Sequence, residues 1–373
     1  MDKKQDKFFD KIPEIPLKAA EEYRNKMDLL VEKVNNKLFA RNDLTELIGD
    51  NPISKMYNKH ENHANFMYNI FKLNDNDLFY STIKWVYRTY SNHGFSYDYF
   101  LIELNAWMEA VAETIEDEKA EEINKFYSWM IANHQKFIRE SQIKDLQQQE
   151  TRADFSSLYN KFLKCLLQGE HKHCIHTAQQ KVESKEDMLL FFEEVIRPTM
   201  YKIGELWEEG EITIAEEHLA SSIVSRIISS LYSRFINFEN DKGKAVISAI
   251  ANEYHEIGSR IISDSLEMDG WDVEHLGSDT PIESLIDFLA KEKPFLIGLS
   301  AALSFNIDNL INTIEKIKAN DKLSDIKILV GGKVFNDNPD LWKKTEADAW
   351  AKNGREAVAV AESWWKDRCN EYV

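Results

Sequence analysis

The residues best suited to chemistry lie in one short segment, which reads Glu253-x-His255-x-x-Gly258. A neutral imidazole is a good ligand for a borderline transition metal, and a carboxylate two residues before it can accept the hydrogen of the other ring nitrogen. Gly258 would let backbone or a large planar ligand approach closely. Taken alone, the segment also fits a surface or helix-capping histidine. The residues of the other loops are needed to choose between that interpretation and a metal ligand.

Two later segments carry small or hydroxylated residues that suit a bound ligand. Residues 298–306 read Gly-Leu-Ser-Ala-Ala-Leu-Ser-Phe-Asn and could hydrogen-bond a buried polar chain through Ser300 and Ser304. Gly331 and Gly332 follow further on, and two adjacent glycines would open space for a flat ring system. The sequence thus predicts three ligand-facing loops with His, Ser and Gly-Gly in that order.

The elements around these segments alternate between strand and helix patterns. Short apolar runs at 245–250, 273–276, 294–300 and 326–330 are separated by helical stretches. This alternation predicts a parallel sheet covered by helices on both faces, with ligands bound at the carboxyl ends of its strands. The three loops follow the first, third and fourth strands, which places them at this edge.

A helical pattern precedes the sheet and predicts a four-helix bundle, with Pro198 inside or at a kink of one helix. Its segment 203–218 contains Trp207, then Glu217 and His218 at the start of the next helix. One interpretation places an aromatic plate and a hydrogen-bonding pair on adjoining helices. The other is a helix-loop-helix corner with Trp207 in the core and a solvated Glu217-His218 turn.

The first 150 residues read as helices throughout, with many aromatic side chains and the histidines His60, His63, His93 and His134. Aromatic residues at helical spacing usually form a core. We expect an oligomerisation or partner surface here, with a second tetrapyrrole or bilin pocket as the alternative. A linker is expected at Ser141–Ser157, where the centre lacks an apolar stripe.

Composition narrows the functional class. Hydrophobic residues make up 43% and charged residues 29%, as in a folded soluble protein, and the formal net charge of -18 disfavours binding nucleic acid through a broad basic face. No apolar stretch suits a secretion signal or a membrane span. Three cysteines, an odd number, fit a reducing cytosol, so we expect a cytoplasmic protein.

The segment His171–His176 is interpreted as the exposed start of a helix, with a metal cluster as the alternative.

The three loops together resemble the cobalamin-binding domain shared by methionine synthase, corrinoid methyl carriers and light-responsive adenosylcobalamin regulators. That family's pattern is Asp-x-His-x-x-Gly, then Ser-x-Leu, then Gly-Gly. The chain departs from it with Glu253 for the aspartate and Ala302 for the leucine. The resemblance implies base-off binding, with His255 as the lower cobalt ligand and Ser300 and Ser304 hydrogen-bonded to the buried nucleotide tail.

The helical segment resembles the cap that closes over the upper face of cobalamin in this family. In adenosylcobalamin photoreceptors, a Trp followed by Glu-His encloses the deoxyadenosyl group, which implies this role for Trp207, Glu217 and His218. Thr213 and Ala215 stand where the photoreceptors often have glycine, and Glu208 stands where one type has a histidine. Trp207 with Glu217 and His218 makes adenosylcobalamin the expected cofactor in spite of these departures. Methylcobalamin and hydroxocobalamin are the alternatives.

We therefore expect a multi-domain α and α/β protein. Residues 1–150 would form a helical domain, 151–240 a four-helix-bundle cap, and 241–373 a flavodoxin-like domain with a five-stranded parallel sheet.

The resemblance favours a cobalamin-dependent sensor, a photoreceptor that changes cap packing or assembly when the upper ligand is lost. The alternative is a corrinoid carrier subunit of a methyltransferase system, and a third option is cobalamin storage or delivery. The chain is expected not to be an enzyme by itself. The N-terminal region has no helix-turn-helix with a basic recognition helix, so output through a protein partner or self-association is preferred to DNA binding.

Overall fold

The computed structural model describes residues 12–143, 152–235 and 240–371. The chain divides into two compact units, Met1–Asp145 and Leu146–Val373. Of the linker expected at Ser141–Ser157, residues 144–151 lie outside the described residues, while Ser141 ends one helix and Ser156 begins the next. The domain boundaries expected at 150 and 240 stay predictions.

The first unit is helical, as predicted, and its helices pack around an aromatic core. Asp75 and Ser96 cap two of them by accepting hydrogen bonds from backbone amides in the first turn. Trp107, Tyr87 and Phe100 are fully or almost fully buried, as expected for aromatic residues at helical spacing. The described helices are α1 Leu17–Asn25, α2 Met27–Phe39, α3 Leu44–Ile48, α4 Ile53–Leu73, α5 Asn76–Asn92, α6 Tyr97–Thr114 and α7 Asp117–Ser141.

Polar groups are buried inside this aromatic core. Lys59 of α4 forms an ion pair with Glu103 of α6, and both side chains are almost completely enclosed. The neighbouring His60 contacts Asn35 through Nδ1 at 2.5 Å and the Tyr99 hydroxyl through Nε2 at 2.7 Å. These contacts satisfy both ring nitrogens of His60 within the protein. The second chromophore pocket in this unit stays a prediction.

The second unit begins with the helical cap, a four-helix bundle. Its third helix is continuous but contains a π-turn, Phe192–Ile196, directly before Pro198. Proline has no amide hydrogen and its ring clashes with the carbonyl four residues earlier, here Glu194, so the wider π-turn relieves the conflict. The cap helices are α8 Ser156–Leu167, α9 His171–Lys181, α10 Lys185–Phe191, α11 Arg197–Glu208 and α12 Ile214–Phe235.

The histidine-rich segment His171–His176 forms the beginning of α9. Cys174 within it is fully buried in the cap core, while His171 and His173 are exposed. The side chains therefore diverge around the helix. In the part of the chain that the structure describes, no group of three His, Cys, Asp or Glu side chains is placed to hold a metal ion.

The rest of the second unit is a doubly wound α/β domain, as predicted. Its five parallel strands have the order β2-β1-β3-β4-β5, with the switch in strand order between β1 and β3. The elements are β1 Lys244–Ala249, α13 Ile257–Met268, β2 Asp272–His275, α14 Ile282–Glu292, β3 Leu296–Ser300, α15 Ile307–Lys318, β4 Lys327–Gly331, α16 Lys333–Asp337, β5 Ala349–Trp350 and α17 Gly354–Glu371.

The central strands form because they are rich in β-branched and aliphatic residues and are buried on both faces. Gly298 of β3 lies against Ile247 of β1, where an added Cβ would come within 2.6 Å of the isoleucine Cδ1. A glycine is therefore required for this close packing unless the isoleucine moves. In the described residues, no helix combines the length and apolar character needed to cross a bilayer.

We predict that Glu103→Gln destabilises the first unit by about 3–5 kcal/mol, because it leaves the buried Lys59 without its counter-charge. The urea midpoint of this unit, followed by hydrogen exchange in α4 and α6, measures the effect. The double variant Lys59→Met with Glu103→Leu should recover most of the loss. A single variant as stable as the parent would contradict the importance of the pair.

Candidate functional site

A cavity of about 720 Å³ lies between the cap and the carboxyl edge of the sheet. It is bordered by the loops after β1, β3 and β4, the edge that the sequence predicted. Glu253 and Ser304 are not part of its lining. The structure brings the other predicted site residues together there: Trp207, Glu217, His218, His255, Gly258, Ser300, Gly331 and Gly332.

His255 and Glu253 form a directed pair in the loop between β1 and α13. The imidazole Nδ1 lies 2.5 Å from the Glu253 Oε1, which also accepts the His255 backbone amide at 3.2 Å. The His255 side chain is 61% exposed and lines the cavity, whereas the Glu253 side chain is fully buried behind it. A donated Nδ1 hydrogen fixes the ring and leaves Nε2 as the available ligand atom.

The second carboxylate oxygen of Glu253 ties this loop to the loop after β3. Glu253 Oε2 accepts hydrogen bonds from the backbone amides of Ala302, at 2.8 Å, and Leu303, at 3.2 Å. The Asn306 side-chain amide also donates to it, at 3.3 Å, and to the carbonyl of Asn252, at 3.0 Å. The buried carboxylate is therefore saturated with donors, and it links the two loops on either side of the switch in strand order.

The electrostatic interaction within the pair lowers the pKa of the Glu253 carboxyl and raises the pKa of the His255 imidazole. Burial by itself would raise the pKa of Glu253, but the bonds from His255 and the Ala302 amide hold it below its ordinary value. Burial would lower the pKa of His255, yet Glu253 raises it overall, helped by Glu217 and opposed by Lys333. A ligand bound through Nε2 must therefore compete with a proton on that nitrogen.

The cap contributes a polar pair and an aromatic ring. A reciprocal Thr213–Glu216 capping box begins α12. In the next residues, Glu217 accepts the Ser221 hydroxyl at 2.7 Å and lies 3.6 Å from the His218 Nε2. His218 is 71% exposed, so the pair faces the open side of the cavity.

Trp207 is only half-buried and lines the cavity. The ring is therefore not part of the buried core of the helix-loop-helix corner, whereas the exposed His218 agrees with the solvated turn that this interpretation also predicted.

Small residues leave room between the cap and the sheet. A Cβ added at Gly204 of α11 or at Gly258 of α13 would meet no atom within 4 Å. Both glycines line the cavity, together with the short side chains of Ser221, Ser222 and Ser225 on α12. Gly258 thus borders open space, as its sequence context suggested. Sequence reasoning missed Gly204 as a lining residue, although it lies one helical turn before Trp207.

The two adjacent glycines after β4 have a packing role besides their position in the cavity lining. Gly332 has a φ of +108°, and a Cβ there would lie 2.1 Å from the Ala301 carbonyl oxygen. At Gly331 a Cβ would lie 3.1 Å from the Ala351 carbonyl oxygen. The pair lets the loops after β3, β4 and β5 pack backbone to backbone, and both glycines also line the cavity.

Apolar residues of the sheet domain also line the cavity. Ile247, Gly298 and Leu329 belong to β1, β3 and β4, while Ile262 and Ala357 belong to the covering helices.

The two serines predicted for this region differ in position. Ser300 ends β3 and lines the cavity, whereas Ser304 is buried in the short 3-10 turn Ser304–Asn306. Only Ser300 faces the cavity, and a ligand contact for Ser304 stays a prediction.

Sequence reasoning also missed a polar wall of the cavity. Lys333 follows the glycine pair and lies 5.7 Å from the centre of the Tyr201 ring on α11, whose hydroxyl accepts the Asn336 side chain at 3.2 Å.

Three lining side chains carry a buried polar atom without a hydrogen-bond partner among the described residues: Glu193 Oε1, Arg197 Nε and Asn336 Oδ1. Such atoms are available to hydrogen-bond a polar ligand. The signal in the sequence was weak, because Glu193 and Arg197 stand on a helix of the cap and Asn336 stands on α16 of the sheet domain.

Comparison with known proteins gives two family matches in the second unit. Residues 243–361 match a model described as B12 binding domain, and residues 158–232 match a second model with the same description. The first covers the sheet domain and the second covers most of the cap.

Similar curated proteins are corrinoid proteins. Dimethylamine corrinoid protein 1 of Methanosarcina acetivorans is 25% identical over 193 residues, which cover 51% of this chain and 89% of that protein. A corrinoid protein of Desulfitobacterium hafniense is 22% identical over 210 residues, covering 55% and 96%. Among solved structures, the monomethylamine corrinoid protein of Methanosarcina barkeri is 19% identical, with a TM-score of 0.49, covering 56% of this chain and 98% of that one.

The directed Glu253–His255 pair, the cavity under a helical bundle and the two family matches agree with one another. The second unit of this chain therefore belongs to the family of cobalamin-binding domains that carry a helical cap.

Proposed function

We propose that the chain is a corrinoid carrier, which holds cobalamin in the base-off form with His255 as the lower cobalt ligand and presents its upper face to a partner. The observation that carries the proposal is the Glu253–His255 pair, whose imidazole lines the cavity while its carboxylate is buried and saturated with donors. When bound, cobalamin supplies a cobalt centre that accepts and releases an alkyl group.

The lower half of the cavity suits a base-off cofactor. Glu253 would keep the hydrogen on Nδ1 of His255, so that Nε2 faces the metal. The apolar lining from Ile247, Gly298 and Leu329 is suited to the displaced nucleotide base, and Ser300 would hydrogen-bond the tail. Gly258 borders open space beside His255, where a planar ring system could lie without displacing an atom.

The polar wall suits the rim of the corrin. The ring carries amide side chains, which could satisfy the unpartnered atoms of Glu193, Arg197 and Asn336. Lys333 adds a cation on the same wall.

The carrier reading is preferred to the sensor that the sequence resemblance favoured, because the similar curated proteins are named as corrinoid proteins. A carrier needs a protein that delivers or removes the alkyl group. The first unit offers a helical body for such a partner or for self-association. The upper ligand, an alkyl group, and the partner, a protein that delivers or removes it, are both part of this proposal.

A light-responsive sensor is the second candidate, and one observation favours it. Trp207, Glu217 and His218 line the same cavity as His255 and could enclose a deoxyadenosyl group. Thr213 stands where the photoreceptors often have glycine. It forms the capping box at the beginning of α12 and is exposed, so its side chain does not narrow the cavity.

His255→Ala should abolish the spectrum of histidine-ligated cobalamin and weaken uptake, because among the described residues no other imidazole contacts Glu253. Absorbance of the protein after loading with hydroxocobalamin and desalting measures this. Glu253→Gln should lower affinity about 10- to 100-fold by loosening the imidazole. His171→Ala, which removes an exposed histidine of α9, is the matched control and should bind like the parent. Unchanged uptake and spectrum in His255→Ala would refute the ligand assignment.

The carrier and the sensor differ in their response to light. We expect the carrier to bind methylcobalamin and adenosylcobalamin with affinities within about tenfold, since its upper face must remain accessible to a partner. Green light should then remove the adenosyl group without altering the elution volume in gel filtration. Strong selectivity for adenosylcobalamin, together with a light-dependent change in assembly, would favour the sensor over the carrier.

Trp207→Ala tests the role of the cap directly. If the indole contacts an adenosyl group, its loss should reduce the preference for adenosylcobalamin over hydroxocobalamin by about two- to tenfold, the range expected for one aromatic contact. Binding titrations with both forms in the dark measure the ratio. Trp342→Ala, outside the cavity, is the control, and an equal loss for both forms in Trp207→Ala would argue against adenosyl contact.

A further inference from the structure

The seam is the interface between α12 of the cap and α13 of the sheet domain. One carboxyl group lies there in a row of apolar side chains. On α13, Ile257, Ile261, Asp264 and Met268 are spaced by four, three and four residues and so share one face of the helix. Met268 belongs to the hydrophobic core of the cap, and Ile257 and Ile261 pack against it. Asp264 is therefore the carboxyl group in a row whose other members, Ile257, Ile261 and Met268, are apolar.

Asp264 is enclosed without a compensating partner. Its side chain is 6% exposed, and its Oδ2 has no hydrogen-bond partner among the residues that the structure describes. An unpaired carboxylate in such surroundings costs several kcal/mol, whereas the protonated acid costs far less. The group is thus a poor choice for stability alone.

The charged neighbours of Asp264 on α13 are hydrogen-bonded to hydroxyl groups of α12. On its own helix, Arg260 donates to the Ser229 hydroxyl of α12 at 3.0 Å. Glu267 accepts the hydroxyl of Tyr232, also from α12, at 2.8 Å. These bonds join the cap to the sheet domain on both sides of Asp264 without neutralising it.

The other elements packed on α13 direct their charges elsewhere. Lys185 of α10 donates to the Met268 carbonyl at 3.4 Å. From α17, Arg355 pairs with Glu186 and Glu193 of the cap. From β2, His275 contacts Ser259 near the beginning of α13.

Burial raises the pKa of Asp264 to about 7, with Glu267 adding to the rise and Arg260 opposing it. A carboxyl group exposed by separation of the seam would titrate near the ordinary aspartate value of about 3.9. The closed seam therefore binds a proton that the open seam releases. Closure weakens as pH rises from about 4 to about 7, and it changes little above about 8.

We propose that Asp264 is a proton-dependent latch between the cap and the sheet domain: its neutral form lets α12 and α13 close beside the cavity, and its ionised form loosens them. The latch would regulate access to the upper face of bound cobalamin. That consequence rests on the proposed function, whereas the latch itself does not.

Hydrogen–deuterium exchange of the full chain without cobalamin tests the latch. After correction for the intrinsic pH dependence of exchange, protection of α12 and of the first turns of α13 should fall about tenfold between pH 6 and pH 8, and little between pH 8 and pH 9. Peptides from α4 and α7 in the first unit are the internal reference and should not follow this profile. A flat profile in α12 and α13 would overturn the latch.

Asp264→Asn keeps the shape of the side chain and removes its charge, so protection of the seam should be high and equal at pH 6 and pH 8. Asp308→Asn removes a buried carboxyl of α15, outside the seam, and should keep the tenfold response. Asp264→Leu is the second variant if the amide impairs folding. A pH response that persists without the Asp264 carboxyl would overturn the proposal. Because cobalamin is left out, the result is independent of whether His255 binds cobalt.

Discussion

One buried carboxylate organises the candidate site. Glu253 fixes His255 with one oxygen and holds two backbone amides of the loop after β3 with the other. The switch in strand order between β1 and β3 creates the crevice, but this carboxylate sets the distance between the loops that border it. The longer side chain at 253, which departs from the family's aspartate, still reaches the imidazole and the opposite loop together.

The sheet domain and the cap follow from the sequence because their patterns are local. Strand and helix periods in residues 245–365 predicted a parallel sheet covered on both faces, and Glu253-x-His255-x-x-Gly258 located the loop that faces the cavity. Pro198 was expected at a kink, and the structure resolves the conflict with a π-turn. Such a local adjustment depends on carbonyl positions, which a residue pattern does not encode.

Other parts of the site depend on contacts between distant segments. From the sequence, Gly332 was predicted to leave space for a ligand. In the structure it also lies against the carbonyl of Ala301 in another loop, a contact that the sequence does not show. Gly204, Tyr201 and Lys333 meet only when the cap lies on the sheet. The apolar spacing of α13 predicts a buried face, but the burial of Asp264 within it requires knowledge of what covers that face.

The central claim is a bond between cobalt and Nε2 of His255. Electron paramagnetic resonance of the bound cofactor in its cobalt(II) state tests it most directly, because the nuclear spin of the axial nitrogen splits the signal. With protein labelled with 15N-histidine and unlabelled cobalamin, the account predicts that each triplet becomes a doublet. A triplet that persists would mean that the cofactor's own base remains on cobalt, and it would contradict the account.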